Sequence, residues 1–316
     1  MKTTAFTKSR ILSLAILVVV FVFLSLLPTI TQGYWVTLMT DILRYAILTV
    51  GWVIFCGPTS YMSLATAAFF GLGFYVAAIL NGPLPFAVVI IFAGAVAFLA
   101  ALGIGALTLR LRGVYFTMFT FAVVLLVSNV VGEVERLVTG TRGRFVETET
   151  AAVAYYAMFA VAILTLLMAV LIRRSRYGLA LQSIGEYEEA AAHSGINVVW
   201  TKVLIFAASS TFMGMAGAII ATRRTYIDPG IAFNLNTSFL PVLMAMFGGM
   251  GNLVGPVIGA AVFTYIGEFL LTRFPDLYML IFGVVLILAI TFMPNGILGL
   301  AQRVWRKIRG GGRASA

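Results

Sequence analysis

The side chains best suited to polar chemistry lie together between Arg173 and Lys202. This stretch holds four of the 21 cations, three of the eleven acids and the single histidine of the chain. Its acids are Glu186, Glu188 and Glu189, and its histidine is His193. Carboxylates outside the apolar segments can pair with basic residues of a partner, so we interpret this stretch as a docking element.

The same stretch also carries helix signals. Ser183 and Glu186 have the spacing of a capping box, in which a hydroxyl and a glutamate satisfy free amides at a helix start. Gly195 suits a left-handed helix stop. We therefore predict a helix from Ile184 to Ser194, with Ile184, Tyr187 and Ala191 on one face and Glu186, Glu189 and His193 on the other. The alternative is a solvated loop with incidental helicity.

Composition predicts a membrane protein. The chain is 61% hydrophobic and 10% charged, whereas a soluble domain is roughly 25% charged. A spanning helix needs about 20 mostly apolar residues. Ten candidate runs occur, near 11–28, 36–56, 60–80, 86–109, 114–131, 152–172, 201–222, 237–250, 256–273 and 277–293. We predict an all-α polytopic transmembrane bundle of about ten spans, in which the glycine-ended run at 237–250 is broken or re-entrant.

The distribution of cations predicts the orientation of the bundle. With the N-terminus inside, 14 of the 21 Lys and Arg residues face the cytoplasm, in agreement with the positive-inside rule. They are Lys2, Lys8, Arg10, Arg110, Arg112, Arg173, Arg174, Arg176, Lys202, Arg303, Arg306, Lys307, Arg309 and Arg313. Both termini and residues 173–200 are then cytoplasmic, while 132–151 and 223–236 are periplasmic. The basic charge therefore reflects topology and not nucleic-acid binding.

The first apolar run resembles a signal peptide in its basic start. It is long for a cleaved signal, and no small-residue cleavage site follows, so we interpret it as an uncleaved first helix. The single cysteine, Cys56, is interpreted as a small buried hydrophobe.

Several kinds of enzyme are disfavoured by what the sequence lacks. It has no phosphate-binding P-loop motif, and one His with one Cys excludes a His/Cys zinc cluster. A serine triad would depend on His193, and Asp41 is the only aspartate within a predicted span. We therefore predict that the chain is not an enzyme and binds neither a metal nor a cofactor.

Ion-driven transport usually needs ionisable residues deep in the bilayer. Asp41 and Arg44 can pair on one helix face, and Glu268 lies near the outer end of its predicted span. The central parts of the other predicted spans carry no charge. A stand-alone secondary carrier or channel is kept as the alternative function, and a membrane scaffold as a third.

Glycines and small residues suggest a pathway for a solute through the bundle. Gly57-Pro58, Gly71-x-Gly73 and Gly248-Gly249-x-Gly251 place helix breakers in both halves of the chain, a weak indication of a midplane route. Its predicted lining residues are Ser60, Ser63, Thr66, Gly248, Gly249 and Gly251. The alternative is that the glycines only allow close packing. Ala93, Ala97, Ala101 and Gly105, and likewise Gly251, Gly255 and Gly259, repeat every four residues and predict such packing.

A loop motif and four further segments together carry a family resemblance. Glu189-Ala190-Ala191, followed three residues later by Gly195, resembles the EAA loop of bacterial ABC importer permeases. SLATAAFFGLGFYVAA at 63–78, LTLRLRGVYFTMFTFA at 107–122, FGGMGNLVGPVIGA at 247–260 and PNGILGL at 294–300 resemble the branched-chain amino acid (LivM-like) permeases. The segments occur in the family's order and cover the chain from about residue 57 to 300.

This resemblance implies a fold like that of type II ABC importers, with a single permease domain over 1–300, a coupling loop at 173–200 and a basic cytoplasmic tail at 301–316. The implied ATPase-coupling residues are Glu186, Glu188, Glu189, Ala190, Ala191 and Gly195. The implied partners are a second homologous permease, two cytoplasmic ATPases, a periplasmic substrate-binding protein and the lipid bilayer of the inner membrane.

Three departures from the family pattern bear on the substrate. Ala65-Thr66 replaces a frequent Gly-His, the segment 139–144 is cationic, and Ala207-Ala208 replaces a hydrophobic-proline pair. The resemblance implies a permease for branched-chain amino acids or for a related small polar solute such as an amide or urea.

Overall fold

In the computed structural model, residues 33–275 are described continuously, together with residues 28, 29, 31, 277, 280, 283 and 284. The helices are α1 Tyr34–Thr59, α2 Thr66–Leu80, α3 Phe86–Thr108, α4 Val114–Thr139, α5 Ala151–Arg174, α6 Arg176–Glu186, α7 Glu188–His193, α8 Val198–Ala221, α9 Pro229–Ala232, α10 Asn236–Gly248 and α11 Val254–Arg273. Two short strands, β1 Arg144–Phe145 and β2 Tyr226–Ile227, complete the described elements.

The predicted helical bundle is confirmed. Eight of the ten predicted apolar runs coincide with helices, and within the described residues seven segments are long and apolar enough to span a bilayer. Helix α2 is apolar but shorter. The runs at 11–28 and 277–293 and the tail at 301–316 lie outside the described residues, so the count of ten spans stays a prediction.

Helix α8 is the central element of the core, and it approaches its neighbours through glycine. A Cβ on Gly73 of α2 would collide with the carbonyl of Gly214, and one on Gly217 would collide with the carbonyl of Phe70. On the α3 side, Ala93 and Ala97 are fully buried and lie beside Gly214. The predicted packing role of the alanine repeat is therefore confirmed.

Helices α10 and α11 form an antiparallel hairpin that is also held by glycine contacts. A Cβ on Gly248 would collide with the carbonyl of Gly255, and one on Gly259 with the carbonyl of Met244. Gly251 lies in the turn between the helices, and a Cβ added there would have no neighbour within 4 Å. Two of the three glycines in this predicted repeat therefore serve packing.

At one end of the bundle, a non-helical segment connects α1 to α2. Helix α1 ends at Thr59, Ser60 adopts a left-handed conformation with φ 59°, and residues 60–65 are non-helical before α2. Side chains satisfy this backbone: Trp52 Nε1 donates to the Ser63 carbonyl at 2.7 Å, and the Leu64 amide donates to Thr120 Oγ1 at 3.0 Å. Such pairing allows irregular backbone inside a membrane protein. The predicted helical run at 60–80 is correct only from Thr66 onward.

A small network of polar side chains lies at the opposite end of the bundle. Strands β1 and β2 pair antiparallel, with Arg144 opposite Ile227, a minor addition to the predicted all-α fold. Glu135 is 4% exposed, accepts from Tyr75 Oη at 2.8 Å and pairs with Arg144 at 2.8 Å. These contacts tie α4 to α2 and to the segment 140–150.

Candidate functional site

The polar loop at 175–197 contains two short helices where one was predicted. Helix α6 runs through Ser183 to Glu186, Tyr187 is extended, and α7 starts at Glu188. The predicted capping box is wrong, because the Ser183 hydroxyl donates to the Leu179 carbonyl at 3.1 Å within α6. The break at Tyr187 separates the two helices and allows Glu188 to meet the transmembrane bundle.

The predicted stop at Gly195 is confirmed by its geometry. Gly195 has φ +85°, its amide donates to the Ala192 carbonyl at 3.0 Å, and the Ile196 amide donates to the Ala191 carbonyl at 3.2 Å. These two bonds form a Schellman motif. Ile196 also packs with Ala191 in a small apolar cluster, so the loop has its own core.

Glu188 joins the loop to two distant segments. Its carboxylate lies 3.0 Å from Lys202 Nζ and accepts from Tyr61 Oη at 2.6 Å. Lys202, near the start of α8, is 1% exposed, and its ammonium group lies 4.4 Å from the centre of the Tyr61 ring. A buried ammonium is costly without a counterion, which gives Glu188 a structural role. We call Tyr61, Glu188 and Lys202 the loop anchor.

The electrostatics of the loop anchor favour a charged carboxylate. Burial by itself raises the pKa of Glu188, but hydrogen bonds from Tyr61 and Lys202 and the charges of Lys202 and Arg112 outweigh it, so the pKa lies below its usual value. Burial, followed by the bond to Glu188, raises the pKa of the Tyr61 hydroxyl. Both groups therefore keep the states in which Tyr61 donates and Glu188 accepts at neutral pH.

A second contact, at Gly185, packs the loop directly against the bundle. A Cβ on Gly185 of α6 would collide with the carbonyl of Pro58 and would lie 3.2 Å from Thr59 Cα. Pro58 and Thr59 lie in the last turn of α1, immediately before the non-helical segment 60–65. The loop therefore contacts the end of α1 through Gly185 and the segment 60–65 through Tyr61.

The predicted coupling residues divide into an inner and an outer set. Ala191 is 3% exposed and packs with Ile184, and Glu188 belongs to the loop anchor. Glu186, Glu189, Ala190 and Gly195 are exposed, although Glu189 lies 3.5 Å from Arg112. The predicted face containing Tyr187 is wrong at that residue, because Tyr187 is 62% exposed.

The predicted pathway residues do not share one cavity. Ser63 and Thr66 are buried and, with Ser209 and Ser210 of α8, line an internal cavity of about 10 Å³, which has room for about one water molecule. Ser60 is exposed beside the loop.

The Gly248–Gly251 turn lies on another side of α1. Gly251 lines a separate cavity of about 230 Å³ with Arg173, Met250 and Pro58. Gly249 has φ +96°, a conformation suited to glycine, while Gly248 packs on Gly255. The packing alternative therefore accounts for Gly248. Likewise, Gly71 and Gly73 lie inside the continuous helix α2 and do not break it.

Sequence reasoning missed three residues of this site: Tyr61, Arg112 and Lys202 were not assigned to it as functional residues. Lys202 carried a usable signal, because a lysine inside the first turns of an apolar helix needs a counterion or a route to water. Tyr61 carried none, because it is 127 residues from Glu188 in sequence.

Comparison with known proteins agrees with this architecture. The family model described as branched-chain amino acid transport system / permease component matches residues 34–290. The chain is 24% identical over 301 residues to the high-affinity branched-chain amino acid transport system permease protein LivM of Salmonella typhimurium, covering 84% of this chain and 70% of that protein.

Sugar permeases match shorter parts of the chain. The ribose import permease protein RbsC of Bacillus subtilis is 31% identical over 127 residues, covering 38% of this chain and 39% of that protein. The galactose/methyl galactoside import permease protein MglC of Escherichia coli is 29% identical over 118 residues, covering 36% and 34%. No solved structure matches the chain.

Proposed function

The chain belongs to the family of permease components of branched-chain amino acid transport systems, and from this premise we propose that it is the membrane-spanning subunit of an ATP-driven importer. The observation that carries the proposal is the loop at 175–197. It is a folded polar unit with its own apolar cluster, and the loop anchor and Gly185 fasten it to the bundle. A passive surface loop would not need this attachment.

We place the ATPase contact on the outward side of the loop. Glu186, Glu189 and Ala190 are exposed, so this surface offers a partner two carboxylates and a small residue, although Arg112 lies 3.5 Å from Glu189. Glu188 and Ala191 support this surface from within, since one is held by Lys202 and the other is buried. Gly195 fixes the end of α7. A basic groove on the ATPase would complement this surface.

The full importer in this proposal contains further subunits. Two ATPases hydrolyse ATP, a second homologous permease completes the membrane domain, and a periplasmic binding protein delivers the solute. The sequence lacks a P-loop, so ATP hydrolysis is assigned to the partners. The proposed location is the inner membrane, with the loop and both termini in the cytoplasm, in keeping with the cation distribution.

Coupling between the ATPase and the pathway would use the non-helical segment 60–65. Movement of the loop would shift Tyr61 through Glu188 and the end of α1 through Gly185. Ser63 follows in this segment, Thr66 begins α2, and both line the narrow internal cavity. We therefore propose that Ser63 and Thr66 form an inner gate, which is closed in this conformation, and that Ser60 marks its cytoplasmic edge.

The proposed substrate is a small polar solute, with branched-chain amino acids as the first candidates. LivM, which aligns with most of the chain, is named for branched-chain amino acids, whereas the sugar permeases align with less than half of it. Amides and urea are further candidates of similar size.

Charge reversal on the loop tests the proposal. Replacing both exposed acids, Glu186→Lys and Glu189→Lys, should abolish co-purification of the ATPase while the permease still inserts at its normal level. Glu147→Lys, an exposed acid at the opposite end of the bundle, is the matched control and should retain the ATPase. Full retention by the double variant would overturn the docking assignment and favour a stand-alone carrier or channel.

A further inference from the structure

A cleft of about 380 Å³ lies at the end of the bundle opposite the loop. Its walls are α4, which contributes Ser128, Asn129 and Gly132, and the start of α9, which contributes its N-cap Asp228 and its first residue Pro229. A volume of this size is typical of sites for small molecules. The cleft is separate from the Ser63–Thr66 cavity and from the surface assigned to the ATPase.

Asn129 places a polar side chain of the spanning helix α4 at the cleft. The residue is exposed and lies one helical turn inside Glu133, within the spanning helix α4. One amide hydrogen is used, because Nδ2 donates to the Leu125 carbonyl at 2.9 Å. An exposed amide in hydrocarbon is unfavourable, and polar residues in spanning helices usually face a cavity or a protein neighbour. The side chain of Asn129 lines the cleft.

Charged residues of both signs line the cleft. Asp228 uses one carboxylate oxygen to accept from the Ile231 amide at 3.0 Å, and no cation in the described part of the chain lies within 4.0 Å of that carboxylate. Arg142 also lines the cleft, where it pairs with Glu133. A solute bearing both an ammonium and a carboxylate group matches this arrangement.

We propose that this cleft binds a zwitterionic amino acid at the entrance of the transport pathway. Its ammonium group would lie at Asp228, and its carboxylate would receive hydrogen bonds from Asn129 and Arg142. This inference rests on the proposed transport function and names the solute class and the site.

Helix α4 connects the cleft to the proposed gate. Two of its threonines hold the non-helical segment 60–65: Thr117 Oγ1 donates to the Met62 carbonyl at 2.9 Å, and Thr120 Oγ1 accepts from the Leu64 amide. The polar residues Ser128 and Asn129 lie two to three turns farther along the same helix. A solute released from the cleft would therefore follow α4 toward the gate.

Cysteine labelling tests whether the cleft is aqueous, independently of the ATPase. In the assembled complex with Cys56→Ala, a hydrophilic thiosulfonate added from outside should modify Ser128→Cys and Asn129→Cys. Val130→Cys is the matched control, because Val130 is 54% exposed but does not line the cleft, and it should resist the reagent. Absence of labelling at residues 128 and 129 would overturn the proposal.

Protection from labelling tests the solute class. Millimolar leucine should slow modification of Asn129→Cys at least several-fold, whereas ribose and urea should not, and Asp228→Asn should remove the protection by leucine. Protection by ribose or urea alone, or by none of the three, would overturn the assignment to an amino acid. If labelling and protection occur while the loop variants retain the ATPase, the cleft assignment stands and the docking assignment fails.

Discussion

The ammonium group of Lys202 lies 3.0 Å from the Glu188 carboxylate and is buried at the junction of the loop and the bundle. The two residues belong to different helices, and both contact Tyr61. This pair therefore fixes the position of the loop relative to the non-helical segment 60–65. Its contribution can be measured by removing each partner in turn.

We expect Glu188→Gln to destabilise the permease by about 3 kcal/mol, because it leaves Lys202 buried without a counterion. The double variant Glu188→Gln, Lys202→Met should recover most of that loss, since an apolar pair of similar size removes the charge penalty. Thermal unfolding of the purified proteins in detergent measures both effects. Equal destabilisation by the single and double variants would show that the ion pair is not the stabilising feature.

We expect Gly195→Val to weaken the loop by about 1–2 kcal/mol, because valine is strained at positive φ. No neighbour lies within 4 Å of the added Cβ, so the loss comes from the backbone alone. Gly195→Asn is the control and should be nearly neutral, since asparagine tolerates this conformation. ATPase co-purification and hydrogen exchange of residues 188–196 are the measurements, and equal behaviour of both variants would contradict the strained stop.

Gly217→Ala should destabilise the bundle by about 1–3 kcal/mol through overpacking, because its Cβ meets the backbone carbonyl of Phe70. Gly103→Ala on α3 adds the same methyl group where no atom lies within 4 Å. It should be neutral or stabilising by up to about 1 kcal/mol. The yield of folded permease after heating distinguishes them, and similar yields would argue against close contact between α2 and α8.

The contacts of the loop anchor should weaken only at acidic pH. The pKa of Glu188 is lowered in the folded protein, so its contribution is fully present above the unfolded pKa of about 4.3 and is lost as pH falls through the lower folded pKa. Hydrogen exchange of residues 188–196, corrected for intrinsic rates, should therefore accelerate below about pH 4. Glu188→Gln should lack this acid transition, and its persistence there would assign it to another group.

The predicted orientation can be tested at an exposed loop residue. In a Cys56→Ala background, an impermeant thiol reagent should not label Ala190→Cys in intact cells but should label it in inverted vesicles. Thr148→Cys, exposed at the opposite end, should give the reverse pattern. Labelling of residue 190 in intact cells would refute a cytoplasmic loop.

Composition and apolar run length determined that the chain is a helical membrane bundle. Eight predicted runs became helices because a segment of about 20 apolar residues in lipid has to pair its backbone internally. The stop at Gly195 was also predictable, since positive φ favours glycine locally. The four family-like segments indicated the permease family, which the match over residues 34–290 confirms.

Tertiary structure alone decided how the loop is attached and which glycines pack. Tyr61 and Lys202 are 141 residues apart in sequence, and their contact depends on where α1 ends and where α8 begins in space. The same holds for Gly73 and Gly214, whose close approach gives Gly73 a packing role where the sequence suggested a helix break. Run length and local spacing report on single segments, whereas these contacts depend on the relative placement of several segments. Tertiary structure also decides the break at Tyr187, because the break brings Glu188 to the buried ammonium group of Lys202.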